Sequence, residues 1–153
     1  MSAAFKGALL ELFSEAYSGP NHAHTWFIGN EADSRLLGTL AGLSAEAASR
    51  GGPSGATVAA HTEHLRWSLA MANAFARGEV PTAQWSESWT VRTVAAGAWT
   101  KLRADLQLEY DTLLAAMKQQ EDFSDPQLLT GMLALVPHAA YHLGAIRQPV
   151  SRV

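Results

Sequence analysis

The sequence predicts an all-α protein, an antiparallel four-helix bundle with an additional short helix. Apolar residues recur at steps of three and four in four long segments, which is the helical spacing. Turn signals separate these segments, and none of them shows the strict alternation that is typical of a strand. The chain has 153 residues and 48% hydrophobic content, so we expect one domain, residues 1–153, around one core.

The first long helix is expected over residues 2–17, where apolar residues recur at helical spacing. Gly19 and Pro20 interrupt the pattern and predict its end. The polar segment that follows contains several aromatic residues, which we expect to hold it as an ordered loop. A short helix is then expected from about Ala32 to Leu43.

The second long helix is expected to begin after the turn signal SRGGPSG. Ser54 or Thr57 can cap it by accepting a hydrogen bond from an unpaired backbone amide. Its apolar stripe comprises Val58, His61, His64, Leu65, Ser68, Leu69, Ala72 and Phe75. Gly78 and Pro81 predict where this helix ends.

The third long helix is expected to be capped by Ser88 and to run to about Gln120, a length of roughly 50 Å. Its inward set comprises Val91, Val94, Ala95, Ala98, Trp99, Leu102, Leu106, Leu113, Leu114 and Met117. Asp125 and Pro126 form a cap and a first helical residue, and they open the fourth long helix. Its buried side comprises Leu128, Leu129, Met132, Leu133, Leu135, Val136, His138, Ala139, His142, Leu143 and Ile146. Pro137 is expected to kink this helix or to free a backbone carbonyl.

Composition limits the possible partners of the chain. It has no cysteine, which excludes disulfides, thiolate metal ligands and a cysteine nucleophile. A formal charge of −3 argues against nucleic acid as a partner. No stretch approaches the roughly 18 apolar residues of a membrane span, so we expect a cytoplasmic protein that does not bind membranes.

Four histidines are the main candidates for chemistry. His61 and His64 are three residues apart and His138 and His142 are four apart, so each pair shares one face of its helix. Neutral imidazole is a good ligand for zinc, nickel, copper or iron. The spacing alone leaves two interpretations open, a shared metal site or hydrogen-bonded core histidines. Glu63 lies about 100° around the helix from His64 and is expected to point away from such a site.

Two histidine-bearing runs resemble a known family. The runs TVAAHTEHLRWSL, residues 57–69, and HAAYHLGAIRQ, residues 138–148, are similar to the two histidine-bearing helices of the DinB/YfiT-like superfamily of four-helix bundles. The resemblance in element order covers most of the chain. It implies a divalent metal ion, nickel or zinc, held by His64, His138 and His142, with water in the open positions and His61 as an alternative or additional ligand.

The family pattern is not complete in this chain. The family often has Gly-Gln after the last histidine, whereas this sequence has Gly144 and Ala145, with Gln148 a turn later. An amide that supports the metal ligands in the family is therefore expected to be missing or displaced here.

The resemblance implies a metal-dependent function. An ion with three imidazole ligands keeps an exchangeable position, where a water or a thiol loses its proton more readily. Some relatives resemble thiol-dependent transferases, so the chain is expected to be a metal-dependent transferase or hydrolase that acts with a small-molecule thiol or electrophile. The alternatives are a non-catalytic metal-binding or stress-response bundle and a structural domain that forms a homodimer.

The remaining candidates near the histidines are mainly aromatic. Trp67 and Tyr141 either border a pocket over the metal or pack as ordinary core or rim residues. Trp85 and Trp89 either cover the open end of the bundle or form an apolar plug or dimer contact. The histidine pair within residues 22–24 is either a second, weak metal site or a solvated pair.

Overall fold

The computed structural model describes residues 3–20, 23–52, 55–82 and 84–150. Within these ranges the chain is all-helical and contains no β-strand, which confirms the predicted all-α class. The α-helices are α1 (Ala3–Tyr17), α2 (Leu36–Ala41), α3 (Ala45–Ala48), α4 (Val58–Ala76), α5 (Ala96–Gln119) and α6 (Pro126–Val150). Two short 3₁₀ helices, Ala32–Ser34 and Trp85–Trp89, lie in the connections.

The four long helices contact one another in a closed series of pairs. Helix α1 packs on α6, α6 on α4, α4 on α5, and α5 on α1. Helices α2 and α3 both pack against α5. The largest core side chains come from all four long helices and from α2, and they include Phe13, Tyr17, Leu36, Leu40, Leu65, Leu69, Trp99, Leu106, Leu113, Met117 and Ile146. The core therefore lies between the long helices, next to the histidine-bearing stretches of α4 and α6.

Both ends of α4 form where the sequence predicts them. The Thr57 hydroxyl accepts a hydrogen bond from the Ala60 amide, so Thr57 is the cap, and the other candidate, Ser54, lies outside the described residues. Gly78 adopts a positive φ of 79°, a conformation that glycine tolerates well. This turn lets the Glu79 amide donate to the Ala74 carbonyl at 3.0 Å and ends the helix.

Two predicted boundaries are wrong. The short helix expected from Ala32 to Leu43 is divided, because Arg35 has an extended backbone (φ −90°, ψ 155°) between the 3₁₀ turn and α2. Helix α5 begins at Ala96 rather than after Ser88, and its 24 residues span about 36 Å. Ala95 and Ala98, both expected to face inward, are exposed at its start.

Other segments hold the chain before α5 in a non-helical conformation. The Arg92 carbonyl accepts a hydrogen bond from the Thr57 hydroxyl at 2.7 Å, and the Val94 amide donates to the Ser49 hydroxyl at 3.0 Å. Val91 and Val94 are also β-branched and lose side-chain freedom in a helix. Long-range contacts and local propensity therefore both oppose an earlier start of α5.

Helix α6 begins at Pro126 as predicted, and the Asp125 carboxylate accepts a hydrogen bond from the Gln127 amide at 2.8 Å. The helix is continuous through Pro137. Leu133 was expected to be buried, but it is 42% exposed. It shares an outward face with Pro137 and Tyr141, since these residues follow one another at steps of four. The expected burial of Phe75 on α4 is likewise wrong, because its side chain is 50% exposed.

One segment of α6 is long and apolar enough to cross a membrane by length and composition. It covers Pro126–Gln148, and an 18-residue window within it has a mean hydropathy of 1.2 and is 33% buried. The expectation that no stretch approaches a membrane span is therefore wrong by this measure. Because the core helix of a soluble protein can pass the same test, these properties alone do not place α6 in a membrane.

In the described part of the loop after α1, a buried carboxylate holds the backbone. Glu15 is fully buried, and its Oε1 accepts hydrogen bonds from the amides of Trp26 (2.9 Å), Phe27 (2.8 Å) and Ile28 (3.1 Å). The aromatic side chains expected to hold the loop are largely exposed, at 61% for Trp26 and 41% for Phe27. Three backbone donors thus replace the water that the Glu15 carboxylate loses on burial.

Candidate metal site

Helices α4 and α6 bring histidines from distant parts of the sequence into one cluster. The Nε2 atoms of His64 and His138 lie 3.0 Å apart, and those of His138 and His142 lie 3.1 Å apart. One ring nitrogen from each of these three residues lies within 4.8 Å of the other two. His64 and His142 are buried, with 1% and 3% of their surface exposed, whereas His138 is half-buried.

The donor set and the spacing both fit a transition-metal ion. Nitrogens that ligate a tetrahedral zinc ion at about 2.0 to 2.1 Å lie about 3.3 Å from each other. The two Nε2 separations of 3.0 and 3.1 Å are only slightly shorter. Imidazole ligands without carboxylate or thiolate suit zinc, nickel or copper better than calcium or magnesium. The three histidines could therefore bind such an ion after small side-chain movements.

His61 belongs to the same cluster but contacts a different part of it. Its Nδ1 lies 2.9 Å from Nδ1 of His142, on the side of the His142 ring opposite the Nε2 that approaches His138. Its side chain is buried, with 6% of its surface exposed. His61 thus contacts His142 from outside the three converging nitrogens.

Ser88 is a site residue that the sequence assigns to a different role. It was expected to cap the third helix, but it lies in the 3₁₀ turn Trp85–Trp89 and is fully buried. Its Oγ lies 2.7 Å from Nδ1 of His64 and donates a hydrogen bond to the Trp85 carbonyl at 2.7 Å. Ser88 therefore ties the imidazole of His64 to the backbone of this turn. The only sequence signal for this role is a serine between two tryptophans, Trp85 and Trp89, and that signal is weak.

Two tryptophans of the same turn lie against the histidine rings. Trp89 stacks on His64, with ring centroids 4.3 Å apart and planes inclined by 21°. Trp85 meets His64 edge-on at 4.8 Å and its ring centroid lies 6.0 Å from that of His138. Both tryptophans were expected to cover the open end of the bundle or to form an apolar plug or dimer contact. In the structure they contact the histidine cluster directly. Trp85 remains 57% exposed and so forms the outer surface of this cover.

Two further aromatic residues lie at the rim. Trp67 packs edge-on against Trp85, with ring centroids 5.4 Å apart. Tyr141 packs edge-on against His142 at 5.0 Å, and its side chain is 71% exposed. Tyr141 therefore contacts the histidine cluster itself, whereas the ring contact of Trp67 is with Trp85.

Burial keeps the histidines of the cluster neutral near pH 7. Burial, together with repulsion of like charge from His138 and His61, lowers the pKa of His64 to about 4. Burial, together with repulsion from the other three rings, lowers the pKa of His142 to about 3. Burial also lowers the pKa of His61 and that of His138. Neutral imidazole is the form that binds a metal ion, so the environment favours ligation.

The other polar candidates lie outside the cluster. Glu63 points away as expected, and its carboxylate pairs with Arg66, with Oε1 2.6 Å from Nη2. Gln148, a turn beyond the usual position of the family's amide, is exposed. His24 is exposed and packs against Trp26 at 4.8 Å, while its predicted companion, His22, lies outside the described residues.

No family model, curated protein or solved structure matches this chain. The DinB/YfiT-like resemblance therefore depends on the two histidine-bearing runs and on the order of the helices.

Proposed function

We propose that this protein binds a divalent metal ion, zinc or nickel, through His64, His138 and His142. The observation that carries the proposal is the approach of three ring nitrogens to within 4.8 Å in a largely buried position. Burying neighbouring imidazoles is costly unless they share hydrogen bonds or a ligand. A bound ion would accept all three lone pairs at once.

The contacts of His61 support His64 as the ligand from α4. His64 directs Nε2 toward the Nε2 of His138, whereas His61 directs Nδ1 toward the Nδ1 of His142. A histidine that ligates a metal usually donates its other ring N–H to a protein acceptor. Ser88 provides that acceptor for His64, and His61 can provide it for His142.

We also propose that this all-α chain is a four-helix bundle of the DinB/YfiT-like type. The closed series of contacts among α1, α6, α4 and α5 supports it, because such a bundle packs each helix against two neighbours. The position of the histidines on α4 and α6 supports it as well, since bundle cores commonly build metal sites from facing helices.

Three protein ligands leave room for an exogenous one, which supports a catalytic role as transferase or hydrolase. When bound, the ion would supply Lewis acidity that favours the deprotonated form of a water or a small thiol. Trp85 and Trp89 exclude water from the cluster on one side, and the half-buried His138 leaves an approach from solvent. The apolar surfaces of Trp85 and Trp89 favour a small thiol or an electrophile with an apolar or aromatic part.

A second candidate is a metal-binding protein without catalytic activity. The stacking of Trp89 on His64 at 4.3 Å favours it, because this ring covers the ligand that is most deeply buried. In that case the ion would stabilise the packing of α4 against α6 and would not accept a further ligand.

Metal analysis of protein purified without an affinity tag tests the proposal. We expect one zinc or nickel ion per chain, and loss of that ion in each of His64→Ala, His138→Ala and His142→Ala. The matched control, His24→Ala, removes an exposed histidine outside the cluster and should retain the ion. A wild-type protein that takes up no stoichiometric ion would contradict the proposal.

Cobalt substitution then separates the two candidates. A cobalt-loaded sample whose visible spectrum changes on addition of a small thiol has an open coordination position, as the catalytic candidate requires. A spectrum that stays constant at saturating thiol would leave the non-catalytic metal protein.

A further inference from the structure

The hydrogen bonds around Ser88 determine which nitrogen of each clustered histidine carries the proton. A serine hydroxyl has one hydrogen, and Ser88 donates it to the carbonyl oxygen of Trp85, which can only accept. The second contact of the hydroxyl, 2.7 Å from Nδ1 of His64, must then be one in which His64 donates. His64 is therefore the Nδ1–H form, and its Nε2 presents a lone pair.

This assignment fixes the next ring. Since His64 Nε2 carries no hydrogen, the 3.0 Å contact with His138 requires His138 Nε2 to be the donor. The same N–H faces His142 Nε2 at 3.1 Å, so His142 Nε2 must also present a lone pair. Two N–H groups pointing at each other over that distance would repel.

The chain of contacts ends at His61. A neutral His142 without a hydrogen on Nε2 carries it on Nδ1, and it donates this hydrogen to His61 Nδ1 at 2.9 Å. His61 is then the Nε2–H form. Each of the four neutral rings thus has one tautomer that satisfies its contacts. The series of assignments begins at the hydroxyl of Ser88.

We propose that Ser88 is a positioning residue that sets the tautomers of the whole cluster, so that His64 and His142 both present Nε2 lone pairs toward His138. The use of these lone pairs for metal binding rests on the proposed function, but the tautomers themselves do not. His138 is the one ring that would have to change, with its hydrogen moving from Nε2 to Nδ1 through solvent while the ring stays neutral. Its half-buried position gives it the solvent contact that this exchange needs.

Nitrogen-15 NMR of the metal-free, labelled protein at pH 7.5 tests the proposal directly, because two-bond proton–nitrogen correlations distinguish the tautomers of each imidazole. We expect the Nδ1–H form for His64 and His142 and the Nε2–H form for His61 and His138. In Ser88→Ala the His64 signals should shift toward a mixture of forms. Ser88→Thr keeps a hydroxyl and should restore the wild-type pattern. The control Ser86→Ala removes an exposed serine of the same turn and should leave the pattern unchanged.

Zinc titration of the same samples connects the tautomers to the ion. We expect zinc to convert His138 to the Nδ1–H form, and Ser88→Ala to weaken zinc affinity about 10- to 100-fold, the usual effect of losing a partner of a ligating histidine. The Nε2–H form at His64 in the wild-type protein, or a Ser88→Ala spectrum identical to wild type, would overturn the role of Ser88. If the tautomers are as assigned but zinc does not bind, the role of Ser88 stands and the proposed function fails.

Discussion

His64 and His138 are 74 positions apart in the chain, yet their Nε2 atoms lie 3.0 Å from each other. The packing of α4 against α6 brings these atoms together. An ion held by both residues would therefore cross-link two helices of a chain that has no cysteine and so no disulfide. Metal binding and the stability of this helix pair should be coupled.

Zinc should accordingly stabilise the folded protein. A ligand that binds only the folded state adds about 2.7 kcal/mol to the free energy of unfolding when its free concentration is 100 times its Kd. Urea denaturation of metal-free protein, with and without zinc at that concentration, measures the difference. His138→Ala should show no such increase, whereas His24→Ala should show it in full. Equal unfolding midpoints for wild type with and without zinc would contradict the coupling.

The sequence predicts the fold class and most helix ends because these depend on local chemistry. The caps Thr57 and Asp125 and the stop at Gly78 each act within a few residues of their position. The predicted start of α5 was wrong because contacts with distant segments decide where this helix begins. The backbone of Arg92 and Val94 bonds to segments 35 and 45 positions away, and no local pattern reports such contacts.

The same division applies to the candidate site. Helical spacing placed each histidine pair on one face. The structure brings His64, His138 and His142 together, the set that the DinB/YfiT-like resemblance implied. The sequence could not show that His61 contacts the far side of His142, because His61 and His64 satisfy the same helical periodicity equally well. Nor could it identify Ser88, whose role depends on a turn folding back over α4.

The metal-free protein should lose stability as the pH falls from 7 to 5. The pKa of His64 is about 4 and that of His142 about 3 in the folded state, against the ordinary 6.5 in the unfolded chain. The unfolded state thus binds more protons below pH 6.5, and the free energy of unfolding decreases with the pH until the folded state is also protonated. Three exposed carboxylates also have lowered pKa values, those of Glu31, Glu79 and Asp122. Their ordinary pKa values are 4.5 or below, so they contribute little in this range.

Urea denaturation at pH 7.0, 6.0 and 5.0 in the presence of a chelator measures this dependence. His24→Ala should reproduce the wild-type curve, because its side chain is exposed. The double variant with His64→Gln and His142→Gln should show a flatter dependence. A wild-type midpoint that is unchanged or higher at pH 5.0 would show that these rings are not buried in their neutral form.

Glu15→Gln should destabilise the protein by about 2 to 4 kcal/mol, because hydrogen bonds to a charged group contribute about 1.5 to 3 kcal/mol each. The Oε1 atom accepts from the amides of Trp26, Phe27 and Ile28, and Oε2 lies 3.0 Å from the Trp26 nitrogen. A glutamine would keep one acceptor oxygen but would point an NH₂ group at a backbone donor or leave donors unpaired.

The neighbouring Glu11→Gln is the matched control for that experiment. Glu11 accepts a hydrogen bond at 2.7 Å from the exposed indole Nε1 of Trp26. Because this contact is accessible to water, its loss should cost no more than about 1 kcal/mol. Chemical denaturation of both variants at pH 7 compares them, and equal stabilities would show that the buried carboxylate does not anchor the loop.

Trp85→Ala should open the candidate site without emptying it. Trp85 contacts the rings of His64 and His138 from outside but offers no ligand atom, so metal content should stay at the wild-type level. If the indole covers the vacant coordination position, a thiol should reach cobalt in the variant at least about tenfold faster, within the range by which mutations change association rates. Trp26→Ala removes an equally exposed tryptophan, 61% against 57%, on a different loop and should leave the rate unchanged. Stopped-flow absorbance of the cobalt-loaded proteins gives both rates. A slower reaction in Trp85→Ala would instead make this side chain part of the surface that binds the thiol.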